Sequence, residues 1–204
     1  MSRIRPKKIL SVKDQIADQL RTDIIAGDLQ PDTKLNEKEL AERFGLSRGP
    51  IRDVILQLTK EGLLISKKNC GASVNSVLDP KTQKLMVKIR REIEVFAIDQ
   101  LKGKLTQEDF DDLHSILADL QRAFAVEDYT EVTKHDLAFH HYLVERAGGD
   151  ELVNIWYPHV MRMRLNYKRV SSSEACYQEH LDVIKALEAD DTATATKAIK
   201  ANIR

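Results

Sequence analysis

Between residues 36 and 64 the apolar side chains fall at helical spacing on both sides of one tight turn, which restricts the segment to two short packed helices. Leu40, Ala41 and Phe44 precede the turn, and Ile51, Val54, Ile55 and Leu58 follow it. Gly45 can adopt the left-handed conformation that ends the first helix, and Ser47 can cap the second. That arrangement leaves Arg48 and Arg52 one turn apart on the exposed face of the second helix, starting at its N-terminus. A recognition helix entering a DNA major groove presents its side chains in this way. A helical hairpin in some other globular protein shows the same pattern, so the residues that follow carry weight.

Ile65 and Ser66 run into Lys67, Lys68, Asn69, Cys70 and Gly71, and residues 72–77 then alternate small or apolar with polar side chains. A strand, a basic glycine-bearing tip and a second strand make a β-hairpin wing. Helices and wing together form a winged helix-turn-helix.

With these residues in place, the chain resembles the GntR family of bacterial transcription regulators, in the FadR-like branch with an all-helical FCD effector domain. The likeness spans nearly the whole chain. It is most specific over residues 40–64 and in Asn69-Cys70-Gly71-Ala72-Ser73-Val74, which is similar to the family's Asn-x-Gly-Ala-x-Val wing. Cys70 departs from the family, where many relatives carry Arg, and so removes one basic contact from the wing tip. The resemblance implies a repressor that binds an inverted-repeat operator in double-stranded DNA as a homodimer, pairs through its helical domain and senses a small organic or sugar acid.

The 204 residues suit one or two domains, with ample chain to bury a core. Formal net charge is zero, but it is unevenly spread. Residues 1–78 carry 14 Lys+Arg against 10 Asp+Glu, and residues 79–204 carry 18 against 22. The positive excess coincides with the winged helix. Arg3, Arg5, Lys7 and Lys8 form a basic arm ahead of it, either a solvated tail or a contact to phosphate or the minor groove. Cys70 and Cys176 fall in different domains and suggest no disulfide framework. No apolar run approaches the roughly 18 residues of a spanning helix, and no secretory signal is present. A cytoplasmic protein with no membrane partner is expected.

The fold class expected is mainly α: an N-terminal winged helix-turn-helix followed by an all-α antiparallel helical bundle. The organisation reads as a basic arm over 1–9, the winged helix-turn-helix over 10–76, a linker at 77–80 and the helical effector and dimerisation domain over 81–204. The first helix spans about 11–26, with Ser11 and Asp14 as a capping box, Val12, Ile16, Leu20 and Ile24 as its apolar stripe, and Gly27 as its stop. Asn36 and Glu39 start the next helix in the same capped manner, and Pro80 suits the first turn of the bundle. Bundle helices are expected near 80–102, 106–125, 129–147, 150–169, 172–189 and 191–203, broken at Gly103, residues 126–128, Gly148-Gly149, Val170-Ser171 and Ala189-Asp190. Six such helices resemble the VanR-type branch of the family.

For DNA, Arg48 and Arg52 can each pair with O6 and N7 of guanine. Ser47 and the free N–H groups at the helix start, unobstructed at Gly49, favour phosphate. The family resemblance adds Lys38 on the preceding helix, and Asn69 with Gly71 at the wing tip, as DNA contacts.

A second constellation lies in the helical domain. Asp136 and His140 are four residues apart and so share one helix face, while His180 interrupts the apolar stripe between Tyr177 and Ile184. A carboxylate and imidazoles facing a bundle core can hold a divalent transition metal, although buried histidines bonded to a carboxylate give the same spacing. The resemblance implies a metal site, zinc or nickel, in which Asp136, His140 and His180 match three ligand positions and Asn202 stands where His is usual. It also places Arg90 at a cavity position that holds an effector carboxylate, with Arg162 and Arg164 as further candidates; the alternative for Arg90 is a surface ion pair with Glu94, four residues on. An enzyme built on Asp136, His140 and His180 is the rival reading. The chain carries no Gly-rich phosphate loop, nucleophile elbow or His-Glu-x-x-His motif to support it. An architectural DNA binder without an effector is the third.

Overall fold

The computed structural model describes residues 11–67, 71–165 and 172–204. The basic arm, Asn69, Cys70 and the expected break at Val170-Ser171 lie outside the described residues. The fold is mainly α, with a small sheet, and divides into two units, Met1–Val77 and Leu78–Arg204.

In the first unit, Ser11 caps α1 (Val12–Ala26) through a reciprocal box with Asp14, and Gly27 ends it at φ 88°. Ile16, Ala17, Leu20 and Ile24 face the core. Val12, expected on that stripe, is 56% exposed, because it is the first helical residue and lies a full turn ahead of the packed stretch. In α2 (Glu37–Phe44) the Asn36 side chain accepts from Lys38 N–H, while its amide donates to Glu39 Oε1 at 3.1 Å. Gly45 closes α2 in the left-handed region. Ser47 does occupy the N-cap position of α3 (Arg48–Lys60), but its hydroxyl makes no capping hydrogen bond. The expected cap is corrected accordingly: the side chain leaves the first-turn N–H groups unclaimed.

Ile51, Val54, Ile55 and Leu58 of α3 are buried against α1 and α2, as their spacing requires. The wing is β2 (Leu64–Lys67) and β3 (Gly71–Val74), antiparallel with Leu64 opposite Val74 and Ser66 opposite Ala72. A strand not foreseen from the sequence, β1 (Lys34–Leu35), pairs with the other edge of β3. Arg21 grips Glu61 through two hydrogen bonds of 2.9 Å, joining α1 to the end of α3, and Arg43 reaches Asp23 at 2.9 Å, joining α2 to α1.

In the second unit, Asp79 caps α4 (Pro80–Leu101), with Pro80 in the first turn where no helical N–H is missed. Then come α5 (Gln107–Ala125), opened by a Thr106–Asp109 box, α6 (Tyr129–Arg164), α7 (Ser173–Glu188) and α8 (Thr192–Asn202). Helix α6 is interrupted at Gly149 (φ 59°, ψ −156°), a conformation that suits glycine, so its two arms correspond to the separate helices expected near 129–147 and from 150. The arms fold back on each other: the His141 and Trp156 rings lie 6.0 Å apart, and Arg164 meets Asp136. Helix α4 packs on α6 and α8, α5 on α6 and α7, and α7 on α8. Leu113, Leu117, Leu120, Phe139, Val183 and Ile199 fill the shared core.

Candidate functional site

The first unit presents a polar face on α3. Arg48, Gly49 and Ser47 are exposed, and so is the Arg52 side chain, at 64%. Arg52 is not free-swinging: its Nε donates to Glu37 Oε2 at 2.7 Å. Lys38 is exposed on α2, with its ammonium 3.8 Å from Glu42. Gly71 is exposed at the start of β3, with φ 78°. Asn69 lies outside the described residues. The paired arginines, the helix start and the wing therefore occur on one small unit whose core is fully committed to packing.

In the second unit, ligating atoms of Asp136, His140 and His180 lie within 4.8 Å of one another. His180 Nε2 is 3.3 Å from Asp136 Oδ1 and His140 Nε2 is 4.0 Å from the same oxygen. Neither approach satisfies hydrogen-bond geometry, so both Nε2 atoms are buried without a hydrogen-bond partner. Their opposite nitrogens are engaged. His140 Nδ1 lies 2.5 Å from Glu94 Oε2, and His180 Nδ1 lies 2.7 Å from the Cys176 carbonyl oxygen. Carboxylate and carbonyl can only accept, so each Nδ1 donates its proton, and in the neutral form of either ring the lone pair lies on Nε2. Imidazoles oriented this way by an outer acceptor have the form of metal ligands.

The electrostatics reinforce this arrangement. Burial opposes ionisation of Glu94, but the Arg90 guanidinium and His140 outweigh it and hold its carboxyl at about 2. Burial likewise opposes charge on Asp136, and Arg164 with the two imidazoles keeps it well below the usual carboxylate range. Burial depresses His140, which favours the neutral ring. His180 is also disfavoured as a cation by burial, yet Asp136 pushes it up to about 10, so the ring holds a second proton on Nε2 towards Asp136, the proton that a metal ion would replace. A positive charge is thus favoured beside Asp136. One carboxylate oxygen and two imidazole nitrogens form a donor set that fits zinc or nickel.

Asn202 is placed differently from the expectation that it completes this set. Its side-chain amide lies 3.4 Å from His180 Nδ1, the nitrogen already committed to Cys176. It therefore adjoins the outer edge of the ring, because the final turn of α8 approaches α7 from that side.

Arg90 is not a surface ion pair. It is 7% exposed, and its Nε bonds Glu94 at 2.7 Å inside the bundle. Its Nη2 remains buried without a hydrogen-bond partner, as do Arg162 Nη1 and Gln83 Oε1. Arg164 is committed to Asp136 Oδ2. The residues that sequence reasoning missed are Glu94 as the orienter of His140, the Cys176 carbonyl as the orienter of His180, and Trp156. The Trp156 indole donates to Glu94 Oε1 at 2.8 Å from a fully buried position. Only its being the sole tryptophan set it apart in the sequence.

Comparison with known proteins agrees with both halves. Residues 12–74 match the model for bacterial regulatory proteins of the gntR family, and residues 85–204 match the FCD domain. The uncharacterized HTH-type transcriptional regulator YdhC of Bacillus subtilis is 29% identical over 195 residues, covering 92% of this chain and 86% of its own. The HTH-type transcriptional repressor RspR of Escherichia coli is 27% identical over 198 residues, covering 95% and 86%. Among solved structures, E. coli McbR/YncC superimposes with a TM-score of 0.78 at 22% identity, over 96% of this chain and 94% of that one. The chain is a member of the GntR family of transcriptional regulators, with a GntR-type DNA-binding head followed by an FCD domain.

Proposed function

We propose that this regulator is a ligand-responsive repressor that binds an inverted-repeat operator as a homodimer and releases or tightens it when a small carboxylate enters the helical bundle. The observation that carries the reading is the convergence of two buried imidazole nitrogens, neither in a hydrogen bond, on the Asp136 carboxylate inside a bundle joined to a DNA-reading head.

On the DNA side, Arg48 and Arg52 read guanine edges in the major groove. Ser47, Gly49 and the unclaimed first-turn N–H groups of α3 bind phosphate. Lys38 adds a backbone contact, and Asn69 with Gly71 carries the wing to the minor groove. A single head reads few bases, so two copies are needed for a specific site.

On the ligand side, Asp136, His140 and His180 hold a divalent ion, zinc or nickel by donor type. When bound, that ion supplies a Lewis-acidic anchor for an anionic oxygen. With His180 neutral as a ligand, the surrounding protein charges balance, Asp136 and Glu94 against Arg90 and Arg164. Added dipositive charge then favours an anion. Among the described residues, Arg90 Nη2 and Arg162 Nη1 are buried donors without a hydrogen bond, able to receive a carboxylate. Binding that differs between two bundle states changes DNA affinity by the same coupling free energy.

The test begins with a duplex selected by the full-length chain from a random library. Fluorescence anisotropy then follows its affinity with zinc or nickel and a panel of organic and sugar acids. A ligand-dependent change that vanishes in His140→Ala supports the reading. Tight DNA binding indifferent to every acid and to His140→Ala reduces the protein to an architectural binder.

A further inference from the structure

We infer that Glu37 is a positioning residue for base reading: its carboxylate fixes the Arg52 guanidinium so that the terminal nitrogens, and not Nε, meet a guanine edge. This rests on the proposed role of Arg52 in the major groove.

Glu37 is the first residue of α2, and helix capping does not use it. Asn36 accepts from the Lys38 N–H, and Glu39 receives the Asn36 amide. Glu37 instead reaches across to α3 and takes the Arg52 Nε–H at 2.7 Å. With side chains 64% and 37% exposed, such a pair adds little to folding. Its effect is geometric. An arginine can offer paired donors through Nε and one terminal nitrogen, or through both terminal nitrogens. Occupying Nε leaves the second fork, formed by the two terminal nitrogens. It also removes rotamer freedom that Arg52 would otherwise lose on binding.

The charge has a second consequence. Non-specific binding relies on cations meeting phosphates. Should Arg52 swing to a phosphate, it abandons Glu37 and leaves a bare carboxylate facing the DNA backbone. That arrangement is repulsive, so Glu37 weakens unspecific contacts more than the correct one. A single residue thereby sharpens discrimination from both directions.

The experiment uses the full-length chain, the selected duplex, single-base variants of it and a scrambled duplex, with circular dichroism to verify folding. Glu37→Ala is expected to weaken selected-duplex binding about three- to tenfold, part of the value of one bidentate base contact, while binding to scrambled DNA is unchanged or stronger. Discrimination is expected to fall at one base pair, the same one lost in Arg52→Ala. Glu37→Gln, which keeps an acceptor oxygen, is expected to recover part of that discrimination. In an Arg52→Ala background, Glu37→Ala is expected to have no further effect on it. Equal weakening on selected and scrambled DNA overturns the inference, and so does a loss of discrimination that persists without Arg52. If Arg52→Ala itself leaves every affinity unchanged, the groove reading fails first; if Arg52→Ala acts and Glu37→Ala does not, only the positioning role fails.

Discussion

His140 Nδ1 and Glu94 Oε2 meet at 2.5 Å across two helices, with the side chains only 1% and 3% exposed. An imidazole held this way has its tautomer and its direction set before any ligand arrives. The pairing gives the bundle a measurable chemical signature.

Protein dialysed after exposure to zinc or nickel is expected to retain close to one ion per chain by elemental analysis. His140→Ala and His180→Ala are expected to retain none. Glu94→Gln keeps all three proposed ligands but weakens the hold on His140, so metal affinity is expected to fall about 10- to 100-fold. Retention of stoichiometric metal by both histidine variants places the ion elsewhere.

Removing Arg48 or Arg52 singly is expected to cost roughly 1–3 kcal/mol of operator binding and to relax preference at one base position each. Lys38→Ala, which removes the proposed phosphate contact, is expected to weaken all duplexes alike and lower the slope of affinity against salt by about one ion. Salt titrations by anisotropy separate the two behaviours.

Asp109 supplies an acid-sensitive element away from the cluster. Burial opposes its charge, but the Thr106 N–H and hydroxyl, the Tyr142 hydroxyl and Arg146 outweigh burial and hold its pKa below the ordinary value. A depressed carboxyl contributes stability that is complete above the unfolded pKa of about 3.9 and is lost as pH falls towards the folded one. Asp109→Asn is therefore expected to destabilise the helical unit by roughly 1–2 kcal/mol at neutral pH. That difference from wild type should shrink below about pH 4, as measured by urea unfolding at each pH.

Gly149→Ala forces a Cβ into a backbone region that only glycine occupies readily, at φ 59° and ψ −156°. A loss of roughly 1–3 kcal/mol is expected by chemical denaturation. Gly148→Ala meets a different obstacle, since its Cβ would lie 2.7 Å from that of Leu152. An unchanged midpoint for both variants contradicts the described junction.

Much of this fold was readable because its signals are local. Ser11 with Asp14, Asn36, Gly45 and Pro80 act within a turn of themselves, and each lies at a helix end as expected. Strand β1 was not readable, since two residues cannot display alternation and only pairing with β3 defines it. Asp136 and His140 shared a face by helical spacing, and His180 stood out on an apolar stripe. Glu94 and Trp156 did not stand out as parts of that cluster. Their contacts join α4 to the two arms of α6, and the register between packed helices is set by the whole core. Arg90 shows the same limit: four-residue spacing gave its partner, but only packing puts the pair inside.

The turn at Gly149 makes one continuous stretch of chain supply opposite walls of the buried cluster, with Asp136 and His140 ahead of it and Trp156 and Arg164 behind. Lengthening either arm by one residue would rotate everything beyond the insertion by about 100° and shift it 1.5 Å along its axis. Arg164 would then swing off Asp136 although neither residue had changed. The cluster thus depends on the length of each arm as well as on the chemistry of its residues.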